Sequence, residues 1–427
     1  MKKIYNPKQE NWSEILKRPT QTVADIENTV LKVFKEVDEE GDNAINRYTE
    51  KFDKVTLDTI IVSDNEIAEA KELVSLELQE AILLAKSNIE AFHAAQKTTR
   101  ISVETTDGVS CWQEKRPIQK VGLYIPGGTA PLFSTILMLA VPANIAKCQE
   151  IVLCSPPNKE GKIDPAILYT ASLCGVTKIC KVGGIQAIAG MTFGTETIPQ
   201  VYKIFGPGNQ FVTVAKQLST KYGVAIDMPA GPSELLVVAD DTANASFVAS
   251  DLLSQAEHGK DSQVILVSTS KELIEKVEKE VVKQCSVLPR KDIAEAAIAN
   301  SKLIYVANDT EAIALINEYG PEHFIICVSN EEFYVDHILN AGSVFIGNYT
   351  PESAGDYASG TNHTLPTNGY AKQYSGVNLD SFMKSMTFQK ISKKGIEKIG
   401  NAIELMAAAE GLQAHKNAVT LRLESLK

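Results

Sequence analysis

The sequence predicts an α/β protein with two Rossmann-like parallel-sheet domains and smaller helical N- and C-terminal segments. Three observations carry this prediction. Short apolar runs alternate with helical stretches in two separate series. Nearly every run of the first series closes on Gly or Pro. Both ends of the chain carry helical rather than alternating periodicity. Strand-like runs with helices between them are the signature of βαβ units and a parallel sheet.

Taken in order, residues 1 to about 100 read as helical, with apolar residues at helical spacing over Val30–Asp53 and Asp64–Ala95. His93 reads as an ordinary helix-surface histidine. From Lys120 the texture changes to KVGLYIPGG, EIVLCSPP, KICKVGG and VYKIFGPGN, with helical stretches between. A second series starts near Ser233 and runs through SELLVVAD, SQVILVSTS, KLIYVAN, HFIICVSN and SVFIGNY. Ligands of parallel sheets bind beyond the carboxyl ends of strands, where YIPGGTA, VGG and FGPGN fall. None of these turns is GxGxxG, and tight βα turns are Gly-rich for steric reasons alone. Residues 347–370 form a long polar segment whose charged residues are Glu352 and Asp356. Loops of that length are usually functional or disordered. The tail is helical again, broken at Gly411.

The chain has 427 residues and a formal net charge of −11. That length calls for two or more domains. The acidic balance speaks against nucleic acid as a partner. No apolar span is long enough for a membrane. The opening MKKIYNPKQENW has no apolar stretch behind its lysines, so no signal peptide is expected and the compartment expected is the cytoplasm. The seven cysteines show no CxxC spacing and read as small buried hydrophobes.

Only six histidines are present, so each is weighed individually. Gln255 and His258 in LLSQAEHG share one helix face, with Gly259 as an expected left-handed helix end. A His in a last turn also suits the helix dipole without any further role. Glu322 and His323 in GPEHF stand at the start of a strand, an acid beside a base that can handle protons. Asp356 and His363 lie in the polar loop, and Glu410 and His415 flank the break in the tail. His337 has no such context and reads as structural. Histidines and carboxylates without thiols suit zinc or a similar divalent ion. Gln is an unusual zinc ligand whose neutral oxygen binds weakly. The residues alone reach a zinc-dependent α/β enzyme with a Glu–His proton-transfer pair, and leave hydrolysis and redox chemistry both open.

The motifs VGLYIPGGTAPLFST, GGIQAIAG, FGPGN, DMPAGPSE, LLSQAEHG, GPEH, GDYASGTNH and EGLQAH, in this order, resemble the histidinol dehydrogenase family. The resemblance runs from Lys120 to His415; the first hundred residues carry no matching motif. It implies oxidation of L-histidinol to L-histidine through histidinal with two NAD, the last steps of histidine biosynthesis. It implies Gln255, His258, Asp356 and His415 as ligands of one zinc ion per subunit, and Glu322 and His323 as the catalytic pair. Ser233, Glu410 and His363 join the metal ligands and His323 as implied substrate contacts, and Tyr124, Gln186 and Asn209 as implied NAD contacts. It also implies a homodimer whose tail reaches the partner's site. The expected division is an N-terminal segment (1–20), a discontinuous domain carrying most of the site (21–123 with 233–376), an NAD-binding domain (124–232) and a helical tail (377–427). A zinc-dependent dehydrogenase of another small alcohol and a zinc hydrolase are the alternatives.

Overall fold

The computed structural model describes residues 1–19, 24–127, 131–229 and 231–427. The tip of YIPGGTA, residues 128–130, lies outside them. The first apolar series forms a five-stranded sheet in the order Lys178–Cys180, Glu150–Cys154, Lys120–Tyr124, Lys203–Phe205, Ala225–Ile226. All its pairings are parallel. Apart from a first Lys or Glu in four of them, the strands are apolar, as a sheet covered on both faces requires. The second series forms a six-stranded sheet with the same internal order. Lys302–Tyr305, Gln263–Ser268, Glu234–Ala239, His323–Cys327 and Ser343–Ile346 follow one another, and Lys2–Tyr5 is added at the first edge. These pairings are parallel too.

Three parts of the expected division differ in the contacts they make. Residues 2–5 do not form a separate segment, because they hydrogen-bond to Lys302–Tyr305 as an edge strand. The helices of residues 24–94 do not belong with 233–376, because they cover the first sheet. Val74, Ile82 and Ile89 pack with Leu123, Leu139 and Ile167 on one face. Val30, Phe34 and Ile45 pack with Val152, Ile188 and Ile204 on the other. Their apolar stripes therefore found the nearest uncovered sheet, a choice periodicity cannot read. The tail from 377 is not wholly helical. Met383–Ile391 pairs antiparallel with Val109–Pro117, which pairs with Ile101–Thr106 in a third small sheet. The helices Lys393–Ala409 and Gln413–Glu424 then flank a left-handed Gly411 (φ 74°), at the break expected.

Chain direction places the site. Helix Ala245–Ala256 follows the central strand Glu234–Ala239 and runs back, so its end returns to the amino edge of the second sheet. The short helix Glu352–Tyr357 returns likewise after Ser343–Ile346. The amino ends of Glu234–Ala239 and His323–Cys327 meet them there. In the first sheet the turns that matter stand at the carboxyl ends, flanking Lys120–Tyr124 and Lys203–Phe205, where the strand order reverses.

Candidate active site

A cavity of about 550 Å³ is lined by Ser233, Gln255, His258, Glu322, His323, Asp356 and His363. Seven of the nine expected metal, catalytic and substrate residues thus come together, from segments spread over more than a hundred positions. Glu410 and His415 are not among the lining residues and are exposed on the tail. A second cavity of about 900 Å³ is lined by Tyr124, Gln186 and Asn209, the three expected NAD contacts. The two cavities share Pro126, Asn209 and Phe211, so they are contiguous.

Helix Ala245–Ala256 presents Gln255 at its last turn. It is not ended by a left-handed Gly259: the capping residue is Glu257, which stays right-handed (φ −77°). The Gln255 amide nitrogen donates to Glu234 O at 3.1 Å and approaches Glu322 Oε2 at 3.4 Å. Its Oε1 is buried and has no partner. His323 Nδ1 lies 3.2 Å from the same carbonyl. A carbonyl only accepts, so the proton sits on Nδ1, and the Gln255 nitrogen 3.2 Å from that atom is a neighbour rather than a donor to it. His323 Nε2 is left without a hydrogen-bond partner, 3.5 Å from Asp356 Oδ1. Glu322 Oε2 accepts from the Glu234 N–H at 2.8 Å.

The electrostatics are acidic. Burial pushes the Glu322 carboxyl up to about 8. Burial would lower the His323 imidazole, but Glu352, Glu322 and Asp356 outweigh it and push it up to about 10. Burial alone would raise Asp356; His323, His363 and His258 bring it below the usual carboxylate range. Burial also lowers His258 and His363, keeping both imidazoles neutral. His363 Nδ1 donates to Asp356 O at 2.8 Å, which fixes its ring.

Sequence reasoning missed Glu352 as a site residue. It is 1% exposed, its Oε1 is 3.7 Å from His323 Nδ1, and burial pushes it up to about 8. The ligating atoms of His323, Glu352 and Asp356 all lie within 4.8 Å of one another. Its spacing of four from Asp356 was a usable signal, since a short helix brings such residues to one face. His93 is corrected as well: it is fully buried, with Nδ1 donating to Ile89 O at 2.9 Å and Nε2 3.3 Å from the Asn362 amide. It anchors the loop carrying His363. His337 is exposed and donates to Phe333 O, as its bland context suggested.

At the other cavity Tyr124 is buried and its hydroxyl accepts from the Gly184 N–H at 3.1 Å. Gln186 is buried with an unpartnered Oε1. Asn209 caps helix Gln210–Ser219 through Oδ1. Gly206 (φ 121°) passes so close to Tyr124 that a Cβ would sit 2.1 Å from its carbonyl oxygen. Only glycine fits there. All seven cysteines are free, five of them buried.

A neutral His258 ring, an ionised Asp356 and an unpartnered Gln255 oxygen at this cavity are nitrogen and oxygen donors of the kind a divalent ion takes. The chemistry of these donors suits such an ion, while the ligating atoms that lie within 4.8 Å of one another, among the described residues, are those of His323, Glu352 and Asp356.

Residues 16–423 match the sequence model of a family described as histidinol dehydrogenase. The chain is similar to the histidinol dehydrogenase of Bacteroides thetaiotaomicron, 59% identical over 427 residues and 100% of both chains. It is 52% identical to that of Escherichia coli K12 over 421 residues, 98% of this chain and 96% of the other. The crystal structure of histidinol dehydrogenase from Elizabethkingia anophelis matches with a TM-score of 0.98 and 57% identity, covering 100% and 98% of the two chains. A family match across nearly the whole sequence, and relatives more than half identical over 96–100% of their length, establish that the chain belongs to the histidinol dehydrogenase family.

Proposed function

We propose that this protein oxidises L-histidinol to L-histidine through histidinal, reducing two NAD, as the last steps of histidine biosynthesis. What carries the reading is the cavity in which His323 Nδ1 stands 3.7 Å from Glu322 Oε2 and its unpartnered Nε2 3.5 Å from Asp356 Oδ1, contiguous with the cavity of Tyr124, Gln186 and Asn209. One zinc ion per subunit would be held by Gln255, His258, Asp356 and a partner subunit's tail residue equivalent to His415. Such an ion would orient the amine and imidazole of the substrate and offset the surrounding acids, leaving His323 neutral at working pH. His323 and Glu352 lie close enough to Asp356 to be ligands as well, and Glu352 Oε1 has no hydrogen-bond partner, but His323 Nε2 is the atom suited to proton transfer.

In the first step His323 Nε2 takes the hydroxyl proton while the carbinol hydride leaves for the nicotinamide. Water adds to the aldehyde, with Glu322 taking the proton from the attacking water. In the second step His323 takes a proton from the hydrate as the second hydride leaves. The balance is alcohol, two NAD and water in, and carboxylate, two NADH and three protons out. Ser233 and His363 line the cavity and would contact the substrate, and Glu410 would reach it from the partner subunit's tail. The exposed tail supports a homodimer. No described helix is long and apolar enough to cross a membrane, and a cytoplasmic location fits the pathway. The readings as a hydrolase or as a dehydrogenase of another alcohol draw no support from the family.

The test is NADH absorbance with limiting L-histidinol, before and after chelation and zinc return. Two NADH per histidinol, lost and restored with zinc, are expected. Turnover without NAD would overturn the reading.

A further inference from the structure

Rest of the site aside, one charged pair beneath it has no evident reason to be there. Arg18 follows the short helix Trp12–Ile15 and carries a side chain only 16% exposed. Its Nε and Nη2 donate to the two carboxylate oxygens of Glu234, Nη2 to Oε2 at 2.8 Å. Nη2 also donates to Tyr319 O at 2.8 Å, and the guanidinium stacks 3.9 Å above the Tyr319 ring. Asn368 N–H donates to Glu234 Oε1 at 2.7 Å. Glu234 is the first residue of the central strand and is itself buried.

A strand needs no carboxylate here. Buried ion pairs are weak contributors to stability, because desolvation offsets the attraction, and apolar residues often replace them without loss. What this pair does provide is register. The Glu234 main chain touches both catalytic side chains: its N–H donates to Glu322 Oε2 and its carbonyl accepts from His323 Nδ1 and from Gln255. Arg18 at the same time grips the carbonyl of Tyr319, in the turn that leads into Glu322 and His323. One planar guanidinium therefore ties together the two chain segments whose relative placement sets the catalytic geometry. Its fork fixes both direction and distance, which an ammonium would not.

We infer that Arg18 is a positioning residue for the Glu322–His323 pair, acting through the Glu234 carboxylate and the Tyr319 carbonyl. The inference rests on the histidinol-oxidising reading, and gives the N-terminal segment a part in the chemistry beyond its edge strand. Arg18 touches no reacting atom. Groups that orient catalytic residues from behind typically cost about ten- to a hundredfold when lost. The NAD cavity stands on the other sheet, so its affinity is independent of this contact.

The experiment measures kcat, KM for NAD and thermal midpoint for the zinc-loaded native enzyme, Arg18→Ala and Arg18→Lys. Arg18→Ala is expected to lower kcat about ten- to a hundredfold, with KM for NAD unchanged. Millimolar guanidinium ion is expected to restore part of that kcat, and Arg18→Lys to retain an intermediate one. Native kcat in Arg18→Ala would overturn the inference. So would kcat, KM and midpoint falling together with no rescue by guanidinium, the pattern of a purely structural residue. If Arg18→Ala does not accumulate folded, Arg18→Lys decides: lowered kcat at unchanged KM supports the inference and native kcat overturns it. A native enzyme that forms no NADH from histidinol would fail the activity reading instead, and is separable from every outcome above.

Discussion

His323 hangs from Glu234: its Nδ1–H donates to the Glu234 carbonyl at 3.2 Å, and that bond turns Nε2 into the cavity. The imidazole is thereby fixed in ring plane and tautomer before substrate arrives, which is what a general base requires. His323→Asn keeps a side chain able to bond the carbonyl but has no titrating nitrogen. It is expected to lower kcat by about 10²-fold or more while zinc content stays native. Metal analysis alongside NADH assays reads both. Full activity would remove His323 from the base role.

The exposed His415 and Glu410 make a different claim, that each site is completed by the partner subunit's tail. His258→Ala and His415→Ala are each expected to lose zinc and activity. Refolded together they form hybrid dimers, in which one site has both defects and the other has neither. Random mixing makes half the dimers hybrid, so about a quarter of native activity should return. If the tail served its own subunit, every site would carry one defect and the mixture would stay inactive.

The acids around His323 give the metal-free protein a pH signature. Glu322 and Glu352 are pushed up to about 8 from 4.5, and His323 up to about 10 from 6.5. Each folded value lies above the unfolded one, so the folded state holds more protons. The contribution is full below the unfolded values and is lost as pH rises through about 8 for the carboxyls and about 10 for the imidazole. The thermal midpoint of chelated protein is therefore expected to fall from pH 5 towards pH 10 by more than that of the zinc-loaded protein. Glu352→Gln removes one raised carboxyl and one support of the imidazolium, and should flatten the fall. A chelated midpoint independent of pH over this range would contradict the acidic cluster.

Much of this arrangement is legible in the sequence. Alternation of apolar runs and helices gave both sheets, because buried parallel strands have little other way to be written. Gln255, His258, Glu322, His323 and Asp356 stood out because scarce polar residues at element ends need a reason. What stayed hidden was whatever depends on long-range packing. The helices of residues 24–94 show which face is apolar but not which sheet it will cover. The strand Met383–Ile391 alternates weakly and pairs with a partner more than 260 positions away in sequence. Nothing local in the sequence marks Arg18 and Glu234 as a pair, since they meet only after both sheets have formed. Glu410 and His415 could be singled out, yet one chain alone leaves them facing solvent.

The turn at Gly206 is held by a buried ion pair. Lys216 Nζ lies 2.5 Å from Asp227 Oδ1 and donates to Gly206 O at 2.7 Å, while Asp227 Oδ2 accepts from Gly206 N–H at 2.8 Å. The pair is almost fully buried and holds both main-chain groups of the residue that must pass closest to Tyr124. Three residues further on stands Asn209. Lys216→Met keeps the length and removes the charge, stranding Asp227 in the interior. Breaking a buried pair this way costs about 3–5 kcal/mol, so the thermal midpoint should drop clearly. The turn would also relax, and a displaced contact raises KM for NAD by about tenfold. KM for histidinol is expected to rise too, because Gly206, Lys216 and Asp227 also line the catalytic cavity. Dinucleotide titration and denaturant unfolding on one preparation read both effects. A loss of stability with unchanged KM for NAD would make Lys216 a scaffold residue with no bearing on the cofactor turn.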